Sequence, residues 1–220
     1  MISRNRPIPG QTRLYVYELQ IVLDGSKPPL WRQLLVPGDA TLGWLHAVIQ
    51  VAMGWTNSHM HHFLTREARY CDLRHNEEGN LGPTPDRDER EAQLWRVFPR
   101  DRTQLVYEYD FGDSWRHTIT RKKNYLMELS EARVPVCLGG ARACPPEDCG
   151  GIWGFQEMLK ALRDSKHPQH ATMKEWLGRP FPVMAFDLDG INGALRRLKW
   201  PRVTGAQLRK VLMTRDRHRE

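Results

Sequence analysis

The run QLVYEYDFGDSWRHTITR, Gln104–Arg121, decides the fold of this chain. Gln104–Phe111 and Trp115–Arg121 are strand candidates rich in β-branched and aromatic residues, and Gly112, Asp113 and Ser114 between them make a hairpin turn. Alternation puts Tyr107 and Tyr109 on one face, with Glu108 and Asp110 on the other. Trp115, His117 and Ile119 share a face of the return strand, so aromatic cross-strand pairs are expected in the core. Asp110 and Asp113 are placed to accept turn N–H groups, or to line a pocket with His117. The letters DFG are not a kinase signature, because no glycine-rich loop, H-R-D loop or A-P-E accompanies them.

Working outward, Leu14–Leu23 and Leu30–Val36 read as two antiparallel strands around the turn Gly25–Pro29. Thr41 is placed to cap a helix with apolar Leu42, Leu45, Val48, Ile49 and Ala52, which Gly54 ends. Met60–Thr65 reads as a short strand and Asn76–Arg90 as a mobile surface loop. Helices are expected at Trp153–Leu162, at Met173–Leu177 before Gly178, and from Asp187 or Asp189 to Leu198. Strands early and helices late predict an α+β fold, an antiparallel or mixed sheet with helices packed on one face.

The 220 residues suit one sizeable domain, with 40% hydrophobic content for a core. The expected organisation is an N-terminal extension over 1–12, one domain over 13–200 and a basic tail over 201–220. No apolar run approaches a membrane span and the start lacks a signal-peptide core, which predicts a cytoplasmic protein with reduced cysteines. The net charge is +7, and residues 196–220, with nine Lys or Arg against two acids, hold the whole excess. Such a segment, with Arg209 and Lys210 inside it, suits nucleic acid or an acidic partner.

The stretch CLGGARACPPEDCGGIWGF, Cys137–Phe155, reads as a long shaped loop of the kind that carries a site. Cys137, Cys144 and Cys149 are candidate metal ligands, although only Cys144 and Cys149 approach zinc-site spacing; Cys71, His59, His61 or His62 would complete the set. Glu147 and Asp148 are expected to cap the helix beginning near Gly151. Gly150-Gly151-x-x-Gly154 is neither a Walker nor a Rossmann motif. In SHMHH, Ser58–His62, strand geometry puts His59 and His61 on one face and His62 on the other, as on a polar strand edge.

With LWRQLLVPGDATLGWLHAVIQVAMGW, SHMHHF, YEYDFGDSW, PPEDCGG and FDLDGIN in this order, residues 12–200 resemble the plasmid pRiA4b ORF-3-like family. The resemblance implies an α+β domain with a mixed or antiparallel sheet and an association with plasmids and transposable elements. It implies no reaction, cofactor or catalytic residue. A resolvase-like label attached to some members finds no support in the residues. No histidine has Arg at +3, as a tyrosine recombinase needs, and Ser3 and Ser26 do not end the first strand.

These readings favour a non-catalytic recognition domain that binds nucleic acid or a protein partner. Its candidate binding residues are Glu147, Asp148, Gly150, Gly151, Trp153, Trp115, Arg209 and Lys210. The alternative is a metal-assisted hydrolase or nuclease using His59, His61, Asp110, Asp113 and His117. No cofactor is predicted, and zinc is the ion that the thiols and imidazoles would suit.

Overall fold

In the computed structural model, which describes residues 12–74 and 84–200, the chain forms thirteen elements. In order they are β1 (Arg13–Leu23), β2 (Trp31–Pro37), α1 (Leu42–Met53), β3 (His61–Leu64), β4 (Arg69–Cys71), β5 (Asp86–Asp88) and α2 (Leu94–Val97). Then follow β6 (Gln104–Tyr109), β7 (Trp115–Glu128), β8 (Val136–Ala141), α3 (Gly151–Arg163), α4 (His170–Leu177) and α5 (Leu188–Leu195). All eight strands join one sheet in the order β5-β4-β3-β6-β7-β1-β2-β8. Every pair is antiparallel except β4–β5, which is parallel. The fold is therefore α+β with a mixed sheet.

The aromatic alternation of β6 and β7 builds the centre of the sheet. His61, Tyr109 and Trp115 lie in register across β3, β6 and β7, and Phe63, Tyr107, His117 and Leu23 form the next row. Leu105, Tyr107, Tyr109, Trp115, His117 and Ile119 are buried, whereas Val106, Glu108, Arg116 and Thr118 between them are not. This alternation marks a sheet covered on one face. Helix α1 starts as its sequence dictates: Thr41 Oγ1 accepts from the Trp44 amide at 3.2 Å. Gly54, at φ 83°, ends it by donating to the Gln50 carbonyl.

Several expectations need correction. Residues 86–88, read as mobile loop, form β5; Arg69 holds Asp86 through two contacts of 2.6 Å. A three-residue charged strand has no apolar signature, so composition hides it. Residues 75–83 lie outside the described residues. The start of the supposed cysteine loop is strand β8, carrying Cys137 at the sheet's edge. There Asn192 of α5 clasps Cys137: its Oδ1 accepts from the Cys137 amide at 2.8 Å, and its Nδ2 donates to the Cys137 carbonyl at 3.0 Å. Strand β3 is interior, not an edge, and His59 precedes it.

Arg32 of β2 is buried beneath this region. Its guanidinium donates to the carbonyls of Ala52 (2.9 Å), Trp31 (2.8 Å), Ala141 (3.0 Å) and Arg142 (3.0 Å), and to Cys144 Sγ at 3.1 Å. It thus joins the end of α1 to the exit of β8.

Candidate functional site

Three connections meet at one end of the sheet. The first, Trp55–Met60, leaves α1 after the left-handed Gly54. The second is the β6–β7 turn, where the positive φ falls on Asp110 (59°) and Ser114 (52°) rather than on Gly112. Asp and Ser tolerate this conformation because short polar side chains bond locally. Asp110 Oδ1 accepts from the amides of Gly112 (3.0 Å) and Asp113 (3.3 Å), and the Ser114 amide donates to the Asp110 carbonyl at 2.6 Å. The third connection, Arg142–Gly150, joins β8 to α3.

Glu147 locks the three together. Its carboxylate accepts from the Thr56 amide (3.1 Å) and hydroxyl (2.6 Å), from the Ser58 hydroxyl (3.2 Å) and from the Tyr109 hydroxyl. Burial, the largest single influence, pushes this carboxyl up, but the donors from Thr56, Tyr109 and Ser58 outweigh it and hold it below its usual value. The expected capping role of Glu147 and Asp148 is not what forms. The N-cap of α3 is Gly150, left-handed at φ 87°, with no side-chain cap bond. Glu147 is occupied by the Thr56–Tyr109 donors and Asp148 turns to His59; Asp113, across the turn, has Oδ2 3.2 Å from the Gly150 amide.

His59, Asp110 and Asp148 form the one group of three potential metal-binding side chains among the described residues, with ligand atoms within 4.8 Å of one another. The other sequence candidates go elsewhere. His61 Nε2 lies 2.8 Å from Glu89 Oε2, and its ring stacks on His46 at 3.4 Å. His117 is fully buried under Trp55, with Nδ1 2.9 Å from the Trp115 carbonyl, so it lines no open pocket; burial drives its pKa down to about 4. Trp115 is also entirely buried and serves the core. The thiols do not converge. Cys137 contacts the Gly139 carbonyl, and Cys144 lies between Arg32 and the Met53 sulfur. Burial pushes Cys144 up to about 11, and burial with nearby Asp113 pushes Cys149 up to about 12. Trp153 is 77% exposed on α3. Arg209 and Lys210 lie outside the described residues.

Beside this junction is a cleft of about 450 Å³; the shaped loop that sequence reasoning singled out contributes to it, but Trp176, Arg179 and Phe181 were missed. Trp55, Pro145, Pro146 and Glu147 line one side, and Trp176, Arg179 and Phe181 contribute to the rest. Trp55 Nε1 donates to the Pro145 carbonyl at 3.0 Å, fixing one wall. The signal for the far wall was the aromatic and proline run WLGRPFP, Trp176–Pro182, which follows no periodicity.

A single mixed sheet with a shaped β8–α3 connection clasping the β6–β7 turn defines an α+β domain whose polar junction borders a cleft. Residues 15–190 match the model of the plasmid pRiA4b ORF-3-like proteins, and the chain belongs to that family. It is 37% identical over 190 residues, 85% of this chain and 95% of the relative, to the uncharacterized protein y4hQ of Sinorhizobium fredii. It is also similar to the crystal structure of a protein of unknown function, MM3350 from Methanosarcina mazei. That match has a TM-score of 0.71 and 31% identity, and covers 80% of this chain and 96% of the other.

Proposed function

We propose that the protein is a non-catalytic recognition domain whose cleft takes an extended peptide segment of a protein partner, bearing an apolar anchor and a carboxylate. The observation that carries this reading is the far side of the cleft. Trp176 is 48% exposed there, and Arg179 makes no hydrogen bond or ion pair among the described residues. An exposed indole beside an uncommitted guanidinium suits an apolar side chain with a neighbouring acid. Glu147 is saturated by its own donors, so the cleft offers one available charge, and it is positive. A phosphate backbone calls for a track of cations, which the cleft lining lacks. The plasmid origin in the family's description favours a partner encoded on a mobile element.

The test is selection from a displayed random peptide library on the whole protein, followed by fluorescence anisotropy on the enriched peptides. Apolar–acidic peptides are expected, with at least a tenfold loss of affinity in Trp176→Ala and in Arg179→Glu. No enrichment, or enriched peptides that bind both variants as well as wild type, would overturn the reading.

The charge excess in residues 196–220 favours a separate contact with nucleic acid. Duplex DNA affinity is expected to fall steeply, by about a thousandfold or more, between about 50 and 200 mM salt, and removal of residues 201–220 is expected to abolish it.

A further inference from the structure

We infer that His59, Asp110 and Asp148 bind a divalent transition-metal ion. This stands apart from the peptide cleft. His59 Nε2 is shut off from water and has no hydrogen-bond partner, yet Asp148 Oδ1 lies 3.1 Å and Asp110 Oδ2 3.6 Å from it. The Asp110 side chain is about nine-tenths buried, at 9% exposed. Its Oδ1 serves the turn amides, while no hydrogen bond reaches Oδ2 among the described residues, and that oxygen faces the imidazole. A buried imidazole nitrogen without a hydrogen bond is costly unless something joins it to the carboxylate oxygens it faces, one of them on a side chain that is itself nine-tenths buried.

The spacing suits an ion. Ligands at about 2.1 Å around a four-coordinate metal are ~3.4 Å apart. The distances of 3.1 and 3.6 Å bracket that value. The remaining separation, within 4.8 Å, is adjustable because the Asp148 side chain is 70% exposed. One imidazole and two carboxylates form a borderline-to-hard donor set, which suits Zn²⁺ or Mn²⁺. Three protein ligands leave at least one position for water. The ligands come from the α1–β3 connection, the β6–β7 turn and the β8–α3 connection, so the ion ties together the three segments that Glu147 already bridges. The rival occupant of the gap is a proton on His59.

The experiment titrates Zn²⁺ and, separately, Mn²⁺ into the metal-stripped, untagged full-length protein by calorimetry, with thermal unfolding in parallel. Asp148→Asn and Asp110→Asn both keep a residue that accepts their left-handed backbone (φ 59° each), and His59→Gln removes the imidazole. Wild type is expected to take up one equivalent of at least one ion that all three variants bind at least tenfold more weakly, with an upward shift in Tm lost in Asp148→Asn. Asp148→Asn alters an exposed side chain and should match wild type in Tm without metal. Absence of uptake by wild type, as a proton on His59 would give, overturns the inference. So does equal affinity in Asp148→Asn or His59→Gln, which would place the ion on other ligands.

Discussion

The Asp113 carbonyl oxygen lies where the Cβ of any residue but glycine at position 151 would fall, 2.2 Å from it. The first residue of α3 is thus pressed against the β6–β7 turn, and its φ of 64° is itself unfavourable for a side chain.

Gly151→Ala should therefore destabilise the fold by about 2–3 kcal/mol, near the upper end for single substitutions. The expected fall in Tm is roughly 5–10 °C for a domain of this size. Gly54→Ala is the comparison. It has φ 83° but nothing within 4 Å of its Cβ, so it should lose only about 1 kcal/mol. Calorimetry of the two variants checks the difference, and equal losses would show that the Asp113 contact adds nothing.

Arg32 should not be replaceable by lysine. Its planar fork serves four carbonyls and a sulfur at once, whereas an ammonium offers three donors from one point. Arg32→Lys strands buried carbonyls and should lose about 2–4 kcal/mol. Arg32→Met, which leaves all of them unpaired, should lose more. Urea unfolding of both variants measures the order, which a mere packing role for Arg32 would reverse.

Acid should weaken the protein before its carboxylates titrate. Burial lowers His117 to about 4 and, with help from His61, lowers His46 to about 3. The unfolded chain takes up these protons near pH 6.5, while the folded chain resists them down to those lower values. Stability from the two neutral imidazoles is complete above pH 6.5 and is lost progressively below it, down to about pH 4 for His117 and about pH 3 for His46. The slope approaches about 1.4 kcal/mol per pH unit for each group. Unfolding free energies at pH 7.5, 6 and 5 test this, and His117→Gln should flatten the decline. A profile flat to pH 4.5 would contradict it.

The Cys144 and Cys149 thiols should be sluggish nucleophiles. With values of about 11 and about 12, their thiolate fraction at pH 7.5 is about two to three orders of magnitude below that of a free cysteine. Alkylation followed by mass spectrometry should label them slowly in the native protein and rapidly in urea. Fast native labelling of Cys149 would contradict this.

Long, periodic elements are legible in the sequence. The aromatic alternation of Tyr107, Tyr109, Trp115 and His117 places the central hairpin, and Thr41 and Gly54 bracket α1. What escaped was short or polar. Strand β5 is three charged residues, and β8 runs through two glycines. The site was half readable. His59 and Asp110 stand out as chemistry, and the β8–α3 connection as a shaped loop. That Asp148 meets His59 depends on a left-handed backbone at Asp148 (φ 59°), a conformation sequence assigns first to glycine. The turn residues are legible, but the positive φ falls on Asp110 and Ser114 and not on Gly112, which composition does not reveal. Trp176 and Arg179 escaped because no spacing ties them to Glu147.

Asn192 gives the outermost rung of the sheet a false neighbour. Its amide presents to Cys137 the same donor and acceptor that an added strand would offer. Any chain seeking to extend the sheet at β8 must first evict that side chain and leave it without partners. The amide and carbonyl of Cys137 are thereby withheld from any strand that would pair there, at a point where an uncovered edge invites a copy of the same chain.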